Sequence, residues 1–174
     1  ILLDNAYLLV LAVGMTFVIL TGGIDLSVGA VMAFTGILCA RLLSEGVPVA
    51  VAVPAMIVIG GAIGLLIGVL VQFFDVQPFI ASLIGMFLAR GLAFVVSLES
   101  IKVADEGLLW LQSTRLSFGG WYITPTGILA LLTVVLAALV LRYTRFGRTV
   151  YAIGGNEQSA RLMGLPVVRT RLLV

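Results

Sequence analysis

The sequence predicts an all-α fold, a polytopic transmembrane helical bundle. Three observations support this: the apolar composition, the long apolar runs and the placing of the arginines. Of the 174 residues, 61% are apolar and 10% are charged, whereas about 25% are charged in an ordinary soluble domain. The mean hydropathy is +1.25. So few charged side chains could not cover a soluble fold of this size, and a bilayer removes that requirement.

The apolar residues form five runs that we expect to span the membrane. The third and fourth reach the length of about 17 to 25 residues that a helix needs to cross the hydrocarbon, and the others reach it with their flanking residues. Each should be helical, because an open strand in lipid would leave backbone groups unpaired. The runs are Asn5–Leu20, Leu26–Leu43, Pro48–Gln72, Phe79–Leu98 and Thr126–Leu141. A further span should start at about residue 168.

The arginines predict the orientation of the spans. The segment 142–171 holds six arginines, and Glu157 is its only acid. The positive-inside rule places such a segment in the cytoplasm. Alternating spans then put the loops 99–124 and 44–47 outside, and the loop 73–77 and the break at 21–25 on or toward the inside. The chain would begin outside, which predicts a further helix before it.

The outer loop contains an apolar stretch, Leu108–Leu111, and Trp121-Tyr122 just before the next span. Trp and Tyr favour the membrane interface. The stretch is therefore either a short helix lying on the outer surface or part of an irregular loop.

A glycine-rich break, Thr21–Ser27, separates the first two runs. Gly22 and Gly23 can end a helix because glycine accepts left-handed backbone angles. Asp25 can cap the next helix by accepting backbone N–H bonds. Both flanking runs are short, which would place the break partly within the membrane, where irregular backbone persists only inside protein or beside a wet cavity. The break is thus either part of a translocation pathway or a surface turn.

Arg90 lies near the middle of the fourth run, where an ionisable residue is a candidate for function. It could snorkel or face a protein groove opened by Gly85 and Gly91. Our hypothesis is that it pairs with Asp25. The candidate pathway or gate residues are Thr21, Gly22, Gly23, Asp25, Ser27 and Arg90.

Two further patterns concern packing and the cytoplasmic segment. In the third run Gly60, Gly64 and Gly68 share one helix face and should let a neighbouring backbone come close. In the cytoplasmic segment, helix boundary signals predict a helix of about two turns. They are Asn156 at the N-cap, Glu157 in the first turn, Arg161 in the last turn, Gly164 at the C-cap and Pro166 beyond it. So short a helix is marginal alone and should dock on its own protein or on a partner.

The composition argues against catalysis. The chain has no histidine and a single cysteine, Cys39, so no metal site, cofactor or catalytic residue is predicted. Lys102 is the only lysine and follows Ile101, so no phosphate-binding loop of the Gly-x-x-x-x-Gly-Lys-Ser/Thr type is possible. We therefore predict that the chain is not an enzyme and has no nucleic-acid partner.

Two motifs carry a resemblance to a known family. The pattern Gly155-Asn156…Ala160…Met163-Gly164 resembles the coupling-loop motif of ABC importer permeases. The run Thr21–Gly29 is similar to the signature of their carbohydrate class, which includes ribose, xylose and galactofuranose importers. The likeness covers essentially the whole chain in order. Glu99-Ser100-Ile101 most resembles the galactofuranose permease.

The resemblance implies a function and partners. Residues 1–174 would be roughly the N-terminal half of the permease subunit of an ATP-driven sugar importer in the bacterial inner membrane. The expected partners are an ATP-binding subunit, a second permease subunit and a periplasmic sugar-binding protein. The implied contacts with the ATP-binding subunit are Gly155, Asn156, Ala160, Arg161 and Gly164. The alternative is an ion-coupled secondary transporter using Asp25 and Arg90.

The predicted orientation can be tested in the full-length protein by cysteine labelling. In a Cys39→Ser background, Glu45→Cys should react with a membrane-impermeant maleimide applied to the outer face of the inner membrane. Asp75→Cys should react only after permeabilisation, because it lies across one span from Glu45. The reverse pattern would contradict the orientation.

Overall fold

The computed structural model describes residues 5–99, 101–103, 105–118 and 121–174, and most of these are helical. The helices are α1 (Ala6–Leu20), α2 (Val28–Ser44), α3 (Val49–Phe73), α4 (Pro78–Val96), α5 (Glu106–Ser113), α6 (Pro125–Tyr143), α7 (Arg145–Gly155), α8 (Glu157–Leu162) and α9 (Val167–Leu173). Two short strands, β1 (Leu116–Phe118) and β2 (Trp121–Ile123), form an antiparallel hairpin. Within the described residues α3, α4 and α6 are long and apolar enough to cross a membrane, and α1 and α2 are shorter apolar helices.

The all-α membrane fold class is confirmed, and all five apolar runs are helical. Local signals set several ends: Pro78 and Pro125 lie in the first turns of α4 and α6, where a missing N–H costs little. Gly46 takes a left-handed backbone conformation just after α2, with φ at 85°. In the loop predicted to lie outside, a helix forms, α5, and the Asp105 carboxylate caps it.

The chain divides into two compact units, and the division falls between Gly22 and Gly23. One unit contains α2, α3 and α4, packed around a core of Ala30, Phe34, Ile63 and Ala89. The closest approach in this unit is at Gly85 of α4. A Cβ there would lie 2.5 Å from Ile67 Cδ1 and 3.4 Å from Ser27 Cβ.

The three glycines of α3 do not share one neighbour. A Cβ on Gly60 would be 3.8 Å from Val31 of α2, and one on Gly68 would be 3.5 Å from the side chain of Leu172. At Gly64 nothing lies within 4 Å of that position. These separations are ordinary van der Waals contacts that an alanine would also permit, so in this unit Gly85 marks the tight crossing.

The other unit contains α1 and α5 to α8, with most of α9. In it α1 packs against α6 and α7, and the rings of Phe17 and Phe146 lie 6.1 Å apart between centroids. Thr144 joins α6 to α7: its hydroxyl donates to the Val140 carbonyl of α6 and accepts from the backbone N–H of Gly147 in α7. Gly147 is packed so closely on Val140 and Leu141 that no side chain would fit there.

We expect Gly85→Ala to destabilise the full-length protein by about 1–3 kcal/mol, the usual cost of overpacking. The added methyl group would overlap Ile67 Cδ1. The double variant Gly85→Ala/Ile67→Val should recover part of the loss, because valine lacks that atom. Gly91→Ala is the matched control, since nothing lies within 4 Å of its Cβ position. Thermal unfolding in detergent measures these effects, and equal midpoints for the two glycine variants would contradict the tight crossing.

Candidate functional site

The break after α1 begins as the sequence predicts. The backbone N–H of Thr21 donates to the carbonyls of Phe17 and Val18, at 3.2 Å each. That of Gly22 donates to the Ile19 carbonyl at 3.0 Å. Gly22 has a φ of 77°, the left-handed conformation that ends helices and suits glycine. The Thr21 hydroxyl donates to the Val18 carbonyl at 2.9 Å, so Thr21 also helps to close the helix end.

Asp25 lies just before α2 and does not cap it as expected, because the N-cap residue is Ser27 and no side chain makes a capping hydrogen bond there. Its Oδ1 accepts a hydrogen bond of 2.7 Å from the backbone N–H of Ser27, and the Ser27 carbonyl accepts from Val31 in the first turn. Ser27 is buried beside Gly85. One carboxylate oxygen is therefore engaged in holding the helix start, and Ser27 is held at the contact between α2 and α4.

Arg90 does not pair with Asp25, so the pairing hypothesis is not supported by this structure. Within the described ranges, the side-chain ion pairs are Arg41–Glu45 and Arg161–Glu157. Arg90 is exposed, whereas its neighbour Ala89 is fully buried in the core. Successive residues on a helix point about 100° apart, so burial of Ala89 turns Arg90 away from α2 and α3. The groove expected at Gly85 is filled by Ile67.

The segment after α7 forms the short helix predicted for it. In α8 the Asn156 Oδ1 accepts from the backbone N–H of Ser159 at 2.8 Å, and Glu157 and Arg161 are paired at 2.7 Å. Gly164, just beyond the helix, has a φ of 74°. The capping signals therefore located both ends of α8.

The five residues expected to contact an ATP-binding subunit differ in exposure. Gly155, Asn156, Arg161 and Gly164 are exposed. Ala160 is fully buried and packs with Ile153 of α7 and Val167 of α9. In this structure Ala160 anchors α8 to its neighbours instead of presenting a surface.

Two apolar side chains beside this surface were not among the expected contacts, although Met163 belongs to the coupling-loop motif. Leu162 is 85% exposed and Met163 is 68% exposed. Both follow the polar residues of α8 and are not part of the long apolar helices. An apolar pair at the end of a short polar helix is the signal that could have identified them.

The helix α7 was also missed. Glycines at 147, 154 and 155 obscured it in the sequence. Three of its four buried residues, Gly147, Val150 and Ile153, nevertheless follow a spacing of three residues that indicates one helix face. At its far end, a Cβ on Gly154 would overlap the carbonyl oxygen of Leu20, the last residue of α1. The end of α7 therefore lies directly against the start of the Thr21–Ser27 break.

No chemistry beyond binding and positioning is indicated at these places. Within the described part of the chain, no cluster of three or more Cys, Asp or Glu is arranged to hold a metal ion. The polar groups at these places are hydroxyls, the carboxylates of Asp25 and Glu157, the Asn156 amide, the exposed guanidinium groups of Arg90 and Arg161, and backbone. These can guide a polar solute or dock a partner.

Comparison with known proteins identifies relatives over the full chain. The family described as "Branched-chain amino acid transport system / permease component" matches residues 1–174. The fructose import permease protein FruG of Bifidobacterium longum (strain NCC 2705) is 46% identical, over 99% of this chain and 53% of FruG. The inner membrane ABC transporter permease protein YjfF of Escherichia coli (strain K12) is 44% identical, over 100% of this chain and 53% of YjfF. No solved structure matches the chain.

The galactofuranose transporter permease protein YtfT of Escherichia coli (strain K12) is also a relative, 39% identical over 94% of this chain and 46% of YtfT. FruG and YjfF have higher identities, at 46% and 44%. The short match at Glu99–Ile101 therefore does not single out the galactofuranose permease. The chain spans about half the length of the curated relatives that it matches.

Replacement of Asp25 separates its hydrogen bond with Ser27 from its charge. We expect Asp25→Ala to lower the free energy of unfolding by about 0.5–1.5 kcal/mol, the usual net contribution of one hydrogen bond. Asp25→Asn should stay near wild type, because an amide oxygen can accept the same bond from Ser27. Glu99→Ala is the control, since its side chain is exposed. Thermal unfolding of the full-length protein gives the comparison, and an Asn variant as unstable as Ala would show that the charge is needed.

Proposed function

The chain belongs to the branched-chain amino acid transport system / permease component family, and from this we propose that it is part of the transmembrane permease subunit of an ATP-driven importer in a bacterial inner membrane. The observation that carries the proposal is the match over residues 1–174, together with the five apolar helices in the described part of the chain. Membership of this family also argues against the alternative of an ion-coupled secondary transporter. The energy for transport would come from ATP hydrolysed by a separate subunit.

We propose a sugar as the substrate. The support is the name of FruG, a fructose import permease with 46% identity, and that of YtfT, a galactofuranose transporter permease with 39% identity. The family description names branched-chain amino acids instead. Uptake assays with both classes of solute distinguish the two.

The proposed pathway includes the Thr21–Ser27 break and Arg90. At the break the hydroxyl of Thr21 and one oxygen of Asp25 hold helix ends, so this segment can change shape only if those bonds rearrange. Arg90 leaves its guanidinium exposed on α4. A charge in a span is costly unless it meets a polar partner or water. We propose that Arg90 faces the pathway or another part of the permease, and that access alternates between the two sides of the membrane.

The proposed partners are an ATP-binding subunit, a second permease subunit and a periplasmic solute-binding protein. The docking surface for the ATP-binding subunit would be the exposed part of α8 and its ends. It comprises Gly155, Asn156, Arg161, Leu162, Met163 and Gly164. Ala160 would fix the position of this surface by packing against Ile153 and Val167.

Co-purification tests the proposal directly. The full-length protein, tagged and extracted in mild detergent, should bring down an ATP-binding subunit and a second permease chain. Reconstituted with the solute-binding protein, the complex should take up sugar only with hydrolysable ATP. Uptake that persists without ATP and stops when an ion gradient is removed would overturn the proposal.

The docking surface is tested by Leu162→Gln. Loss of a buried apolar side chain at an interface costs about 1.5–3 kcal/mol, so the yield of co-purified ATP-binding subunit should fall about tenfold or more. Leu98→Gln is the matched control: Leu98 is 83% exposed, close to the 85% of Leu162, but by the orientation above it lies on the outer side. An equal loss in both variants would contradict a specific surface at α8.

A further inference from the structure

The helix α7 docks on α1 at two separate points, and Gly154 forms the tighter one. We propose that Gly154 is a positioning residue that links the cytoplasmic segment to the end of α1, so that displacement of α8 is delivered to the start of the Thr21–Ser27 break. This inference rests on the proposed transport function and deepens it.

The contact at Gly154 is one of backbone against backbone. A Cβ at this position would overlap the Leu20 carbonyl oxygen, and would lie 3.1 Å from the Leu20 carbonyl carbon and 3.9 Å from Thr21 Cα. Even a methyl group therefore cannot be added without moving one of the two helices. The neighbouring Gly155 has nothing within 4 Å of its Cβ position, so the requirement for glycine is specific to Gly154.

The second contact is aromatic and lies at the other end of α7. The rings of Phe17 and Phe146 are 6.1 Å apart and tilted by 35°, within the range in which aromatic pairs attract. Phe146 and Gly154 are eight residues apart in sequence, or about 12 Å along a helix. Two contacts at that separation restrain both the position and the angle of α7 against α1.

The helix α8, which would be displaced by the ATP-binding subunit, packs against the same helix α7. Ile153, directly before Gly154, packs with Ala160 of α8 and Val167 of α9. Ala160 is fully buried there. The helix α8 therefore cannot shift far without carrying the end of α7 with it, and Gly154 passes that shift to Leu20.

The end of α1 at Leu20 can change its backbone conformation in response to such a displacement. Leu20 is the last residue of α1, and the chain turns at Gly22, two residues later, with a left-handed φ of 77°. Helix termini absorb backbone rotation more readily than helix interiors do. A displacement at Leu20 therefore acts next to the segment proposed to line the pathway, with no intervening side chain.

The first test compares Gly154→Ala with Gly14→Ala in the full-length importer, reconstituted with its ATP-binding subunit and binding protein. In Gly154→Ala the ATP-binding subunit should still co-purify and hydrolyse ATP, while sugar taken up per ATP falls about tenfold, within the range known for residues that carry coupling. Gly14 lies on α1 with nothing within 4 Å of its Cβ position, so Gly14→Ala should keep the wild-type ratio. A purely structural defect would lower hydrolysis and uptake together.

The second test measures the distance between α1 and α7, first with Gly154 unchanged. Spin labels at Ile19→Cys and Tyr151→Cys, which are 62% and 52% exposed, report the distance between α1 and α7 in a Cys39→Ser background. That distance should be the same with and without ATP in an importer that transports. In Gly154→Ala the distance between the two labels should differ between the samples with and without ATP.

The outcomes are separable. An ATP-dependent change of the Ile19–Tyr151 distance in the transporting importer overturns the linkage, and so does a wild-type ratio of uptake to hydrolysis in Gly154→Ala. If wild-type protein and Gly14→Ala both fail to bind an ATP-binding subunit and to take up sugar, the proposed function is overturned instead.

Discussion

A chain in hydrocarbon has to satisfy its backbone N–H and C=O groups within itself, and this constraint shapes every part of this protein. The apolar runs meet it by becoming helices, which leaves only the helix ends to be satisfied. Several polar side chains are found at those ends, although Arg90 lies in the middle of α4. Asp25, Thr144 and Asn156 each accept a backbone N–H at the start of a helix. These three polar residues are thus placed where the backbone needs them.

Close packing in this protein depends on individual glycines. At Gly147 and Gly154, backbone of α7 lies directly on backbone of α6 and α1, respectively. At Gly85, α4 accepts the side chain of Ile67. None of these belongs to the evenly spaced set Gly60, Gly64 and Gly68, which meets its neighbours at ordinary distances. Even spacing identifies a face on one helix, whereas a tight contact also needs a neighbour that reaches that face.

The two places singled out for transport are adjacent in the structure. Gly154 of α7 contacts Leu20 at the end of α1, directly before the Thr21 break. This adjacency gives the proposed coupling a short physical route. The buried Ala160 anchors α8 to its neighbours, whereas the exposed Leu162 is part of the proposed docking surface.

The sequence by itself determined the fold class, the five apolar helices and both ends of α8, because apolar length and capping residues act locally. Only the tertiary structure decided that Arg90 turns away from Asp25, that Ala160 is buried, and that Gly154 meets Leu20. The physical reason is that a span is apolar all round, so its periodicity does not indicate which face packs against protein. Rotation of each helix about its axis is set by its neighbours, and that rotation decides which side chains meet.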